Sequence, residues 1–186
     1  QAWAREKIDG KPTLLICAAA SKAFKNWTAE GYAALADHAA NKGFQVYLCG
    51  GPAKLERDLA ADIQRLSQSQ PVDLVGQTNL RQLLALIKEA SLVLAPDTGP
   101  THMATLVGTP VIGLYAHHNP DRTGPYLCRE HAVSVYQELI EQETGKPLAA
   151  LDWRTRLKDP DAMRKITSER VIAAFDRLCA ERQLPG

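Results

Sequence analysis

One segment between two apolar runs carries the residues best suited to chemistry. It reads APDTGPTHMATLVGTP and places Asp97, Thr98, Gly99 and His102 where a plain turn would suffice. A helix is predicted to begin at Pro100, because proline has a suitable φ and lacks the N–H group that would be unpaired at a first helical position.

The start of this predicted helix is suited to bind an anion. The N–H groups of Thr98, Gly99 and Thr101 are expected to point into a cleft, where a helix N-terminus stabilises an anion by about 0.3 to 1 kcal/mol. Gly99 allows close approach, the hydroxyls of Thr98 and Thr101 can donate to phosphate, and His102 lies one turn further on. The segment therefore predicts a phosphate site.

Asp97 does not fit a phosphate site alone, because a carboxylate repels phosphate. It is expected to accept hydrogen bonds from a sugar hydroxyl or from the loop backbone. The alternative for the whole segment is structural: Asp97 and Thr98 cap a helix, and His102 is a core residue.

The loop after the first apolar run, SKAFKNW, supplies Ser21, Lys22 and Lys25, with Trp27 expected to pack the loop down. A lysine here can meet a diphosphate from the side opposite to the helix start. For Lys25 considered alone, a solvated surface lysine is the simpler interpretation.

The rest of the chain predicts how these loops are positioned. Apolar runs at 13–20, 44–51, 72–76, 91–97 and 111–115 alternate with helical periodicity. Thr28 and Asn79 are suited to cap two helices, Gly43 to end one, and Ser168 or Thr167 to begin the last. This alternation predicts an α/β fold with a parallel sheet, helices on both faces and a ligand site beyond the carboxyl ends of the strands.

Composition excludes several classes of function. The 186 residues have a formal net charge of +1 and are 45% hydrophobic, which predicts one domain and no basic stripe for nucleic acid. No run of about 18 apolar residues exists, and the N-terminal residues lack the apolar core of a signal peptide, so a cytoplasmic chain without a transmembrane segment is expected.

Metal and cysteine chemistry are not predicted. Cys17, Cys49, Cys128 and Cys179 form no CxxC pair, so they are interpreted as small apolar residues in buried or partly exposed positions. His117 and His118 are adjacent in sequence and do not readily face one metal together.

Two further stretches follow the fifth run. The segment NPDRTGPY is expected to form a loop over the cleft, in which Arg122 either meets a ligand or is a plain surface arginine. The stretch 128–163 departs from the alternation of strands and helices and is assigned no chemistry.

Four motifs together carry a resemblance. KNW after the first strand, LCGGPAKLE after the second, DTGPTHMA followed by GTP, and the terminal MRKITSERVIAAF resemble the nucleotide-sugar-binding half of the heptosyltransferases, glycosyltransferase family 9. The resemblance extends from about residue 11 to residue 178.

The resemblance implies a GT-B enzyme with two Rossmann-like domains, of which this chain is the C-terminal one. Residues 1–12 would be the interdomain connection, 13–178 the donor-binding domain and 179–186 a tail. The N-terminal acceptor domain would be absent from this chain, so the isolated domain is expected to be inactive.

The resemblance also implies a set of residues that hold a nucleotide-diphospho-sugar, with ADP-heptose as the expected donor. The set is Ser21, Lys25, Gly51, Glu56, Thr78, Asp97, Thr98, Gly99 and His102. Gly50 and Gly51 would pass close to the nucleoside, and Glu56 would bind the ribose. The sequence departs from the family at Pro52 and Ala53, where an acidic residue is common, which leaves the base specificity open.

The implied reaction is an inverting transfer without metal or cofactor, in lipopolysaccharide core biosynthesis. An acceptor hydroxyl attacks the sugar C1 while the nucleoside diphosphate leaves, and the general base is an aspartate of the N-terminal domain. The chain itself would then contain no catalytic residue. Its partners would be the nucleotide sugar, the N-terminal domain and, through that domain, the lipopolysaccharide acceptor; association with the inner membrane of a Gram-negative bacterium would be peripheral.

Two other classes of function share this fold. A dinucleotide-dependent enzyme is disfavoured, because AAASKAF after the first strand contains no glycine where GxGxxG is required. A noncatalytic nucleotide-binding or interaction module stays open as the alternative.

Overall fold

The computed structural model describes residues 1–124 and 129–184. At its centre the described residues form a six-stranded sheet in which every paired neighbour is parallel. The strands are β1 (Thr13–Ile16), β2 (Gln45–Leu48), β3 (Val72–Asp73), β4 (Leu92–Pro96), β5 (Val111–Tyr115) and β6 (Val133–Ser134).

Helices connect and cover these strands. The described α-helices are α1 (Ala2–Ile8), α2 (Ala29–Asn41), α3 (Lys54–Leu66), α4 (Leu80–Glu89), α5 (Gly99–Val107), α6 (Pro120–Thr123), α7 (Tyr136–Thr144) and α8 (Ser168–Glu181). Short 3-10 helices occupy Ala23–Lys25, Arg129–His131, Leu148–Ala150 and Ala162–Lys165. The predicted α/β fold, with a parallel sheet and helices on both faces, is confirmed.

The strand order is β3-β2-β1-β4-β5-β6. The chain moves outward from β1 to β3, then returns to the other side of β1 with β4, where Ile16 lies opposite Leu94. In open parallel sheets of this kind, ligands bind beyond the carboxyl ends of the strands at the point where the order reverses. The loops after β1 and β4 therefore flank the expected site.

Alternating residues of β1 enter two separate cores. Leu14 and Ile16 pack with residues of α2 and α8 on one face, whereas Leu15, and Cys17 just after the strand, pack with residues of α1, α4 and α5 on the other. All residues of β1, β4 and β5 are buried, as their continuous apolar runs predicted. The sheet is thus anchored on both faces, which holds its edge loops in fixed positions.

The helix boundaries follow the predicted signals. The side chains of Thr28, Asn79 and Thr167 accept hydrogen bonds from the first turns of α2, α4 and α8, so the predicted caps are confirmed. Gly43 and Gly108 have φ angles of +93° and +76°, which favour glycine at helix ends.

Three features were not predicted. Strand β6 pairs with β5 through Leu114 and Val133, and its two residues are too short to show a pattern. Residues 1–12 contain α1, whose Ile8 is buried against the sheet. Helix α8 continues to Glu181, so its last turn lies within the stretch expected as a tail.

The cysteine interpretation is confirmed for three residues. Cys17, Cys49 and Cys179 are buried and unpaired by disulfides. Cys128 lies outside the described residues, as do Pro125 and Tyr126 of the predicted NPDRTGPY loop.

Candidate functional site

The N-terminus of α5 presents free amides at the carboxyl end of β4. Thr98 is the N-cap residue and has no side-chain cap bond, and the N–H groups of Thr98 and Gly99 have no acceptor within the described part of the chain. A Cβ atom placed on Gly99 would have no heavy atom within 4 Å, so the space in front of this turn is open. An anion can therefore approach both amides.

The same turn is stiffened by hydrogen bonds to one carbonyl. The Pro96 carbonyl accepts from the Thr98 hydroxyl at 3.2 Å and from the Thr101 hydroxyl at 2.8 Å. The helix also begins at Gly99, one residue earlier than predicted.

The prediction for Thr101 is wrong. Its amide donates to the Thr98 carbonyl at 3.2 Å, its hydroxyl donates to Pro96, and the residue is completely buried. A buried threonine at this position satisfies the backbone of the turn rather than a ligand. The Thr98 hydroxyl also donates to the protein, namely to the Pro96 carbonyl. Of the two donors of Thr98, the amide is therefore the one that is free for an anion.

Lys25 ends the 3-10 helix Ala23–Lys25 in the loop after β1. The Ala20 amide donates to the Asn26 side chain at 2.6 Å, and the indole N–H of Trp27 donates to the Ile166 carbonyl at 2.9 Å. Trp27 is buried and packs edge-on against Tyr32, with 5.1 Å between ring centroids. The prediction that Trp27 packs this loop down is confirmed.

Lys25 and Asp97 line the same small cavity, together with Tyr115, His117 and His118. Its volume is about 10 Å³, about the size of one water molecule. Lys25 is half-buried and forms no ion pair with any carboxylate of residues 1–124 or 129–184. The loops after β1, β4 and β5 therefore converge at this cavity, where the ammonium of Lys25 has no ion-pair partner among the described residues.

The electrostatics of this cluster favour a neutral His118. Burial lowers the pKa of His118, the positive charge of Lys25 lowers it further, and Asp97 opposes both. Burial and the Asp97 carboxylate raise the pKa of Tyr115. The Tyr115 hydroxyl is buried without a hydrogen-bond partner among the described residues, so it is available to donate.

Gly51 and Glu56 lie together at the end of β2. The Gly51 amide donates to the Glu56 carboxylate at 2.9 Å, and Glu56 lies in the first turn of α3. This bond fixes the carboxylate and leaves its second oxygen able to accept from a hydroxyl. Neither residue lines the cavity that contains Lys25 and Asp97.

The remaining predicted residues do not line the cavity that contains Lys25 and Asp97. Thr78 is half-buried and directly precedes Asn79, the N-cap residue of α4. Ser21 and His102 are exposed, and no hydrogen bond or ring contact links the side chain of either to another described residue. His102 is therefore not a core residue, which contradicts that part of the structural alternative.

The sequence analysis did not predict a second, more basic cavity that shares Lys25, His117 and His118 with this cluster. Lys22, Lys25, Arg156 and Lys158 line a cavity of about 360 Å³, which we call the basic cavity; Phe24, His117, His118, Leu157 and Pro160 complete its lining. Arg156 and Lys158 belong to the stretch that was assigned no chemistry. The signal available was RLK, two cations flanking an apolar residue, which suits an extended segment with one buried side chain.

A larger cavity of about 480 Å³ lies beside the same loop, lined by Phe24, Trp27 and Met163 among others. Glu30, Asp62 and Asp161 contribute three carboxylates to it, against one arginine, Arg164. This charge balance opposes binding of a phosphate. Size alone therefore does not identify the site, and the start of α5 remains the candidate site.

Comparison with known proteins shows the family to which this chain belongs. The model of glycosyltransferase family 9 (heptosyltransferase) matches residues 1–153. The chain belongs to glycosyltransferase family 9. It is 46% identical over 177 residues to the lipopolysaccharide core heptosyltransferase OpsX of Haemophilus influenzae, covering 95% of this chain and 51% of that protein.

Two solved structures share the fold of this chain. The family 9 glycosyltransferase from Veillonella parvula superposes with a TM-score of 0.76 at 22% identity, over 97% of this chain and 51% of that one. The Escherichia coli ADP-heptose LPS heptosyltransferase II superposes with a TM-score of 0.71 at 22% identity, over 98% and 51%. The chain thus spans about half the length of these relatives, and its fold is that of GT-B heptosyltransferases.

The described residues show neither a membrane-spanning helix nor a cluster of metal ligands. Within 1–124 and 129–184, no helix has the length and hydropathy needed to cross a bilayer. The same residues contain no group of three or more potential metal ligands.

Proposed function

We propose that this chain binds a nucleotide-diphospho-sugar donor as half of a heptosyltransferase. The observation that carries the proposal is the pair of free amides at Thr98 and Gly99, open to solvent and adjacent to the cavity that Lys25 and Asp97 share. Amides at a helix start and an ammonium beside them are suited to a diphosphate. Membership of family 9 supports this ligand class.

ADP-heptose is the donor that we propose, since the Escherichia coli relative is an ADP-heptose heptosyltransferase. Glu56, fixed by the Gly51 amide, would accept from a ribose hydroxyl. Asp97 would accept from a sugar hydroxyl, with Ser21, Thr78 and His102 at the border of the site.

The proposed role of these residues is to stabilise negative charge on the leaving nucleoside diphosphate. When an acceptor hydroxyl attacks the sugar C1, the bond to the diphosphate breaks and the leaving group gains negative charge. Lys25 and the two amides would stabilise that charge, and preorganised donors of this kind often make the largest contribution to catalysis. We propose that transfer inverts C1, needs no metal, and takes its general base from the other half of the enzyme.

The proposed setting is lipopolysaccharide core biosynthesis, as for the OpsX relative. The acceptor would reach the site through the N-terminal half, and a cytoplasmic location with peripheral attachment to the inner membrane stays a prediction. A binding module without activity is the alternative. Adding the N-terminal half of a family 9 relative and assaying heptose transfer separates the two, since a mere binding module transfers no sugar.

Calorimetric titration with ADP, UDP and GDP tests donor binding directly. We expect measurable ADP binding that Lys25→Ala weakens by about tenfold, because a charge-assisted bond contributes about 1.5 to 3 kcal/mol. Lys42→Ala removes an exposed lysine at the end of α2 and serves as the control. The proposal would be contradicted if none of the three nucleotides bound, or if Lys25→Ala and Lys42→Ala changed the ADP affinity equally.

A further inference from the structure

The basic cavity concentrates positive charge without matching carboxylates. Lys22 and Lys25 come from the loop after β1, and Arg156 and Lys158 come from the segment that precedes α8. No described carboxylate lines the cavity, and none of the four cations forms an ion pair with another described residue. Cations held together repel one another, so a bound anion would relieve that repulsion.

The wall that carries Arg156 and Lys158 is fixed by backbone bonds. The Leu157 amide donates to the His117 carbonyl at 2.9 Å, and the Nε2 atom of His117 lies 2.7 Å from the Asp159 carbonyl oxygen. Leu157 is buried, whereas Arg156 and Lys158 are exposed. The two cations are therefore presented on a segment that is already ordered.

The same segment is also held by the backbone of Lys158. Its amide donates to the Glu143 carboxylate, at 3.2 Å and 3.3 Å from the two oxygens. That carboxylate contacts the amide and does not line the cavity. The Lys158 side chain thus has no carboxylate partner among the described residues.

An aromatic ring completes the chemistry of the cavity. Phe24 lies edge-on to His117, with 5.0 Å between ring centroids, and the Lys22 ammonium lies 5.9 Å from the Phe24 ring. An aromatic face packs well against the C–H face of a sugar, and a few convergent polar groups give orientation. The combination of one ring and four cations fits a sugar that carries an acidic group.

We propose that the basic cavity binds a phosphate or carboxylate group carried by a sugar, with Arg156 and Lys158 as its main ligands. A volume of about 360 Å³ is sufficient for one such sugar. Because Arg156 and Lys158 lie outside the loops assigned to the donor, the acidic group belongs either to a separate acidic saccharide or to the donor itself. Both sources share the same recognition chemistry.

The test uses glucose 6-phosphate as the probe, glucose as the neutral comparison and ADP as the nucleotide. Calorimetry at low salt on the full 186-residue chain compares wild type with the double variant R156Q/K158Q. The matched control is R154Q/K165Q, which removes one arginine and one lysine that are exposed and outside the cavity. Circular dichroism and Tm verify that each variant is folded.

We expect glucose 6-phosphate, but not glucose, to bind wild type. R156Q/K158Q should weaken that binding by about tenfold or more, and R154Q/K165Q should leave it within about twofold. Unchanged ADP affinity in R156Q/K158Q would identify a separate acidic saccharide, whereas a parallel loss would identify the donor. Absence of glucose 6-phosphate binding by wild type, or equal binding by the double variant and its control, overturns the inference; wild-type ADP binding tests the proposed function separately.

Discussion

The indole N–H of Trp27 donates to the backbone carbonyl of Ile166 at 2.9 Å, across 139 positions of sequence. The bond ties the loop that carries Lys25 to the segment that leads into α8. Both partners are buried, so neither finds water when the bond is lost. One side chain thus links the predicted phosphate-binding loop to the terminal motif MRKITSERVIAAF, which begins where the stretch that was assigned no chemistry ends.

Replacement of Trp27 by phenylalanine should destabilise the protein by about 1 to 3 kcal/mol, because it leaves the Ile166 carbonyl buried without a donor. Urea unfolding followed by circular dichroism measures the change. Trp3, which is 37% exposed, gives the control: Trp3→Phe should change the free energy of unfolding by less than about 0.5 kcal/mol. Equal stabilities for the two variants would show that the Trp27 bond does not hold the loop.

Gly99 and Gly108 border the same helix and offer a matched pair of substitutions. Gly99→Ala should leave Tm nearly unchanged, since nothing lies within 4 Å of the new Cβ, yet it should weaken ADP binding by placing a methyl group before the free amides. Gly108→Ala should lower stability by about 1 kcal/mol, because Gly108 has a φ of +76°.

Thermal unfolding and ADP titration of both glycine variants separate these effects. The Gly108 variant should bind ADP with nearly wild-type affinity. A Gly99 variant that binds ADP as wild type does would mean that the nucleotide does not approach this turn.

The sequence predicted those parts of the fold in which local signals agree with packing. The runs that became β1, β4 and β5 are buried throughout, and Thr28 and Asn79 act as caps where their side chains reach the first turn. Strand β6 could not be predicted, because two residues show no period and gain their structure from pairing with β5.

The site was predictable only in part, for a similar reason. The predicted parallel sheet places the loops after its strands at one edge, so Lys25 and Asp97 could be expected on the same side from the sequence. Arg156 and Lys158 reach the site through the Leu157 bond to His117, a tertiary contact that leaves no local pattern. Thr101 resembles a ligand-binding hydroxyl in sequence, and only its burial shows that it serves the turn.

Thr101→Val tests this structural role. Loss of the hydroxyl removes one of two donors to the Pro96 carbonyl, so stability should fall by about 1 kcal/mol. ADP affinity should stay within about twofold of wild type. A large loss of ADP affinity with unchanged Tm would instead restore Thr101 as a ligand-binding residue.

His118 should give the protein a pH-dependent stability. Its pKa is lowered from the ordinary value of 6.5 in the folded state, mainly by burial and then by Lys25, with smaller effects of the same sign from His117 and Arg122 and an opposing effect from Asp97. The unfolded chain therefore binds the proton first as pH falls. The contribution of His118 to the free energy of unfolding should be constant above about pH 7.5, decrease as pH falls through 6.5, and level off below the folded pKa.

Urea unfolding of wild type and His118→Gln across this range measures the contribution. The difference between their pH profiles should be confined to the region around and below pH 6.5, with wild type losing more stability. A bound diphosphate near Lys25 should raise the pKa of His118, because an anion favours the imidazolium. NMR titration of the His118 ring with and without pyrophosphate measures that shift; an unchanged His118 pKa in saturated protein would place the anion away from this cluster.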